Sequence, residues 1–326
     1  MIDQPNTPVC PRWLHALAVL TVLFTLPLLF LGAGVTSHGP GVAMSDHQGF
    51  RPPWIIVNTF FEDTGFALRL EHGHRLFGFL VGMCGIGVAV GCWFFDRRSW
   101  MGWLALLALA MICVQGLLGI FRVDYNALHG RTFALVHGVF AQLVFAVLVC
   151  VAMMTSRGWS RPASTTDSVD PALTALQRFS IATAILMFVQ VVLGGLVRHR
   201  EDLLGPRGHI LGAFVVTGAI VWLLFLIRDC ESRERFRVQR LLLKGLLVVQ
   251  LILGVESWLA RFHVDGSNLP QLLPLPMHSE WIRTAHYLVG AMMFSTTVAV
   301  VLTAHRKAVT VSEPVPARSR ELEGVL

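Results

Sequence analysis

Eight apolar runs, each near the ~20 residues that carry a helix across a bilayer core, constrain this chain more than any other feature. They predict spanning helices near 13–35, 72–95, 101–121, 133–155, 173–197, 207–227, 239–260 and 281–304. Only 14% of the 326 residues are charged, against about 25% in a soluble domain. The expected fold is therefore an all-α polytopic membrane protein. The first run, from Trp13 to about Val35, is too long for the apolar part of a signal peptide and reads as a retained helix.

The net charge of +6 does not indicate nucleic acid, because the basic residues fall between apolar runs and mostly on one side. With eight spans both termini share a side, which collects 16 of the 26 Lys and Arg and leaves 10 to the other. The excess of positive charge puts both termini in the cytoplasm. Six cysteines lack CxxC or zinc-type spacing, so no disulfide framework is expected. The longest connections are 36–71, 156–172 and 261–280. The first carries Arg51-Pro52-Pro53-Trp54 and an apolar stretch ending at Phe60-Phe61, which reads as a helix along the membrane surface. The polar tail after His305 reads as disordered.

An internal repeat organises the spans. Helix 1 ends Leu31-Gly32-Ala33-Gly34-Val35-Thr36, and helix 5 ends Leu193-Gly194-Gly195-Leu196-Val197-Arg198. Helix 3 reads Gln115-Gly116-Leu117-Leu118-Gly119, and helix 7 reads Gln250-Leu251-Ile252-Leu253-Gly254. Helices 2, 4, 6 and 8 open near His74, His137, His209 and His286. Two pseudosymmetric four-helix bundles follow, at 13–155 and 173–304. A cytoplasmic N-terminus (1–12), a cytoplasmic linker (156–172) and the tail (305–326) flank them. The repeat is parallel, as in many duplicated membrane proteins.

A single histidine at a membrane boundary is usually an interfacial hydrogen-bonding residue. Four at matched depth, on helices that all start from the non-cytoplasmic side, argue for more, since ionisable groups inside a span are costly and usually functional. Within each half the two bearing helices run parallel and can clamp a flat macrocycle between them. Imidazole is a common axial ligand of heme iron, and no cysteine or carboxylate cluster completes a zinc site. His72 lies two residues from His74, so helical geometry turns the two about 200° apart and lets only one face the core.

Glu71, three residues before His74, shares its helix face at the boundary. Nothing equivalent precedes His209, where the chain reads Pro206-Arg207-Gly208. A carboxylate beside one histidine pair and not the other points to chemistry in the first half and electron supply in the second. Arg75, Arg122, Arg198 and Arg207 lie at the same level. Two readings of them stand side by side: bidentate contacts to heme propionates and interfacial snorkelling. The glycines of helices 1, 3, 5 and 7 permit close helix approach and secondarily give room to a macrocycle.

Over nearly all of residues 13–304 the chain resembles the heme A synthase family. The carriers are Gly34-Val35-Thr36-Ser37, Glu71-His72-Gly73-His74-Arg75, and Gln115-Gly116-Leu117-Leu118-Gly119-Ile120-Phe121-Arg122-Val123. The second half adds Leu193-Gly194-Gly195-Leu196-Val197-Arg198-His199, His209 with Gly212-Ala213, and Ala285-His286. The resemblance implies oxidation of a methyl substituent of heme O to a formyl group, giving heme A for cytochrome c oxidase. It implies that His74 and His137 face the substrate heme, that Glu71 is the essential carboxylate, and that His209 and His286 ligate a resident heme b. It also implies a cell inner membrane location with the heme sites near the outer face, supply of heme O by a heme O synthase, and an electron donor that the sequence does not name. A homo-oligomer is compatible with all of this. Two departures stand out: no cysteine lies between Leu31 and Glu71, and the family's Pro-Asp-Trp-Pro stretch reads Ser45-Asp46-His47-Gln48.

The runner-up is a diheme b-type cytochrome that carries electrons and modifies neither heme. Its histidine pairs would often sit near both membrane faces, whereas all four sit at one face here. A duplicated transporter would place polar groups and broken helices at mid-membrane, where these helices are apolar.

Overall fold

The computed structural model describes residues 10–37, 66–124, 126–160, 171–199, 204–263, 271–272 and 277–306. Among these are eight long helices: α1 Arg12–Ser37, α2 Phe66–Phe95, α3 Ser99–Asp124, α4 Asn126–Thr155, α5 Pro171–His199, α6 Leu204–Asp229, α7 Arg237–Arg261 and α8 Met277–Ala304. All eight are long and apolar enough to cross a membrane. The chain is an all-helical, multi-pass membrane protein, with one short antiparallel pairing of Phe262–His263 and Gln271–Leu272 between α7 and α8. The surface helix expected over 51–61, Asp46 and His47, and the polar tail from 307 onward lie outside the described residues.

Two helices begin well before their apolar runs: α2 at Phe66 rather than 72, and α4 at Asn126 rather than 133. The added turns carry Arg69 and Glu71 in α2, and His129 and Arg131 in α4. Such residues lower hydropathy without interrupting backbone hydrogen bonding, so the helix outlasts its apolar pattern.

Helices α1–α4 enclose one apolar core, with Leu14, Ala18, Val81, Cys92, Met101 and Val151 among its buried residues. Helices α5–α8 enclose another, including Leu176, Ile220, Leu223, Leu243 and Val300. A third cluster joins them, built on Leu29, Ala141, Phe145 and Ala291 with Tyr287 against it. Along this seam α8 packs on α4, on α1 and on α5, and α4 packs on α5. Helix α8 is accordingly the most enclosed, with 56% of its most apolar stretch buried, against 11% for the peripheral α3. The outward faces carry Phe94, Leu211 and Phe214, side chains suited to acyl chains.

Without water to serve them, buried polar groups must find partners inside the bundle. Thr21, Thr25, Thr183 and Thr297 donate to the carbonyls of Leu17, Thr21, Phe179 and Met293 one turn back, at 2.7–2.9 Å. At the end opposite the histidines, Arg98 donates to both oxygens of Asp96 and to the Met154 carbonyl at 2.9 Å. This cation pins the tight α2–α3 turn to the C-terminus of α4, where the helix dipole favours positive charge.

Candidate functional site

Depth is set by where each spanning stretch begins. His74 lies five residues after Arg69, His137 six after Arg131, His209 four after Gly205 and His286 six after Glu280. At about 1.5 Å per residue these offsets differ by only about 3 Å. Successive spans alternate in direction, so all four histidines sit at one end of the molecule. Side-chain contacts then bring them together in pairs. The His74 and His137 ring centres are 6.4 Å apart with planes at 74°, and those of His209 and His286 are 6.1 Å apart at 79°.

Each ring lies against a glycine of the neighbouring odd-numbered helix. A Cβ on Gly32 would fall 2.6 Å from His74 Cε1, and one on Gly194 would fall 3.0 Å from His209 Cε1. At Gly119 and Gly254 the corresponding distance, to His137 and His286, is 3.2 Å. In every case the Nδ1–Cε1 edge is the one against the glycine, and Nε2 is the nitrogen farther from it. The glycines expected to permit close helix approach thus also seat the imidazoles.

This arrangement fits a macrocyclic metal held between two imidazoles. An imidazole nitrogen binds a first-row metal at about 2.0 Å, with its ring centre roughly 1.1 Å behind, so two imidazoles across one metal have centres about 6.2 Å apart. Both pairs stand at that separation. A compact site of the zinc type has no support, since among the described residues no three His, Cys, Asp or Glu gather.

The two pairs differ in their surroundings. Glu71 is buried and accepts a hydrogen bond from Arg75 Nη2 at 2.5 Å, one turn along α2. Arg75 is thus engaged by a carboxylate. The second pair has Pro206 in the corresponding place, in the first turn of α6. Arg198, at the end of α5, reaches the first half: its Nη2 donates to the Ala33 carbonyl at 2.5 Å and to Ser37 Oγ at 2.7 Å. Its guanidinium also lies 5.9 Å from the centre of the Tyr287 ring. Arg122 is half-buried near the end of α3, and Arg207 is exposed. His72 is buried, 2% exposed, although helical spacing was expected to turn it off the core. Residues 70–73 are all buried, so this turn of α2 is enclosed on every side.

Sequence reasoning gave no role to the groups that hold the rings. His74 Nδ1 is 3.0 Å from the Leu28 carbonyl. Gln115 Nε2 lies 3.2 Å from His137 Nδ1, Gln190 Nε2 3.1 Å from His209 Nδ1, and Gln250 Nε2 3.3 Å from His286 Nε2. Tyr287 joins the two halves, donating to the Gly138 carbonyl. The signal for the glutamines was present in the chain as Gln-x-x-x-Gly, repeated at 115–119, 190–194 and 250–254.

No curated protein matches the chain. A family model does, over residues 58–205, a stretch that holds Glu71, His74 and His137 but ends before His209 and His286. Over that stretch the chain is similar to the COX15-CtaA family, cytochrome oxidase assembly proteins.

Proposed function

We propose that this chain, similar over residues 58–205 to a cytochrome oxidase assembly family, is a heme A synthase, which oxidises the methyl substituent of heme O to a formyl group. The observation that carries the reading is the pair of facing histidine sites at bis-imidazole separation, only one of which has a buried carboxylate three residues from its histidine. We assign His74 and His137 to the substrate heme, and His209 and His286 to a resident heme b. Bound heme iron supplies the redox chemistry. The residues of this chain hold and orient the macrocycles, exclude water with the apolar bundle, and place Glu71 to accept or hold a proton beside the first. The ion pair with Arg75 holds Glu71 in place.

The two four-helix halves read as a duplication that has diverged around Glu71, one half for chemistry and one for electron supply. The Lys and Arg distribution favours both termini in the cytoplasm, with the histidine end near the outer face of the cell inner membrane. Heme O synthase is then the natural supplier of substrate, and an electron donor must reach the second half. The deciding experiment is pigment extraction from membranes that co-express this chain with a source of heme O. Heme A in the extract supports the proposal. Two bound hemes with heme O left unchanged would instead make the chain a b-type electron carrier.

A further inference from the structure

Three of the four histidines have a glutamine beside them, and each glutamine lies four residues before the glycine that seats the ring. A step of four residues stacks the two positions on one helix face, so amide and imidazole meet edge to edge. The slots are shaped for the amide, since a methyl at Gly212 would collide with Gln190 and one at Gly290 would crowd Gln250. Gln115 and Gln190 also donate to the His137 and His209 main-chain carbonyls, at 3.1 and 2.8 Å. The amide oxygens Gln115 Oε1, Gln190 Oε1 and Gln250 Oε1 are nevertheless buried without a hydrogen-bond partner, as is His286 Nδ1. Buried polar atoms left in this way need an explanation.

An imidazole that gives its Nε2 lone pair to iron carries its proton on Nδ1, and in a dry site that proton needs an acceptor. His74 has one in the Leu28 carbonyl. At Nδ1 of His137 and of His209 the neighbouring side chain is a glutamine, and its unused atom is an acceptor. A half-turn of the terminal amide sets Oε1 against Nδ1–H. The carbonyls of His137 and His209 then lose only a second hydrogen bond, because each lies inside a helix and accepts from its own i+4 amide.

We infer that Gln115 and Gln190 are positioning residues that hold the Nδ1 protons of His137 and His209, as the Leu28 carbonyl holds that of His74. The inference rests on the assignment of the second pair as heme ligands. It gives the glutamines control over the metal, because a stronger Nδ1 acceptor makes imidazole a more electron-rich ligand and favours ferric over ferrous iron.

The test is a potentiometric titration of the b-type absorbance in purified, heme-loaded protein, comparing wild type with Gln190→Glu and Gln190→Leu. The expected result is a lower midpoint potential in the Glu variant, with the low-spin spectrum kept, and a higher one in the Leu variant. Loss of heme in the Leu variant with retention in the Glu variant also supports the inference. Wild-type potentials in both overturn it, and so does loss of heme in the Glu variant, which retains an acceptor. A wild-type chain that binds no heme overturns the function itself, which is a separate and recognisable outcome.

Discussion

Tyr287 donates its phenolic hydrogen bond to the Gly138 main-chain carbonyl at 2.9 Å, so the residue after His286 is tied to the residue after His137. The two histidine sites are thereby linked through one side chain at the seam between α4 and α8. Replacing Tyr287 with Phe keeps the ring and its packing but removes the bond. A loss of about 1 kcal/mol in stability is expected, read as a lower thermal midpoint, with the second-half heme spectrum retained. An unchanged midpoint would remove Tyr287 from the seam's energetics.

The spectrum of the purified protein should be low-spin b-type, because two imidazoles can occupy both axial positions of a resident heme. His209→Ala and His286→Ala should each lose most of that signal. Wild-type spectra in both variants would show that the second pair is not the ligand set.

Glu71→Gln should bind substrate heme and fail to convert it. A positioned acid–base group contributes ~10²–10⁴-fold to rate, so extracted heme A should fall to trace levels while heme O persists. Arg75→Gln separates this role from the ion pair, since it breaks the same bond but leaves the carboxylate. It should reduce conversion less than Glu71→Gln does. Equal losses would make the pair structural.

Gly32→Ala places a methyl 2.6 Å from His74 Cε1, closer than side chains tolerate, and should displace that ring. Substrate heme binding should weaken while the b-type signal of the second half stays intact. Gly254→Ala, at 3.2 Å from His286, needs a smaller adjustment and should perturb the second half less. A b-type signal lost in Gly32→Ala would show that the two sites fold as one.

The eight spans and the four histidines were legible because both depend on local features, apolar run length and residue type at a fixed depth. Helix starts were not, because α2 and α4 continue through Arg69, Glu71, His129 and Arg131 after their apolar pattern has ended. The separation of His72 from His74 followed from helix periodicity alone, and the enclosed turn at 70–73 cancels that distinction. The glutamines escaped notice for another reason. An amide in a Leu-rich span reads as a helix–helix contact until the ring beside it is located. Arg198 was singled out for its depth, but its partners Ala33 and Ser37 are distant in sequence, and nothing local to α5 announces them.

The C-terminal end of α1, at the histidine end of the bundle, is held from the second half. Besides Arg198, the Trp281 ring stacks on Phe30 at 5.4 Å, and Thr284 shares a hydrogen bond with Ser37. These contacts come from α5 and α8, both made after α1. During synthesis α1 therefore waits for α5 and α8 before its C-terminal end is secured. The pocket around His74, whose ring rests on α1, is finished last, although its histidine is made first. A nascent chain stalled before α8 would hold its first-half histidines in the membrane with that pocket still ajar.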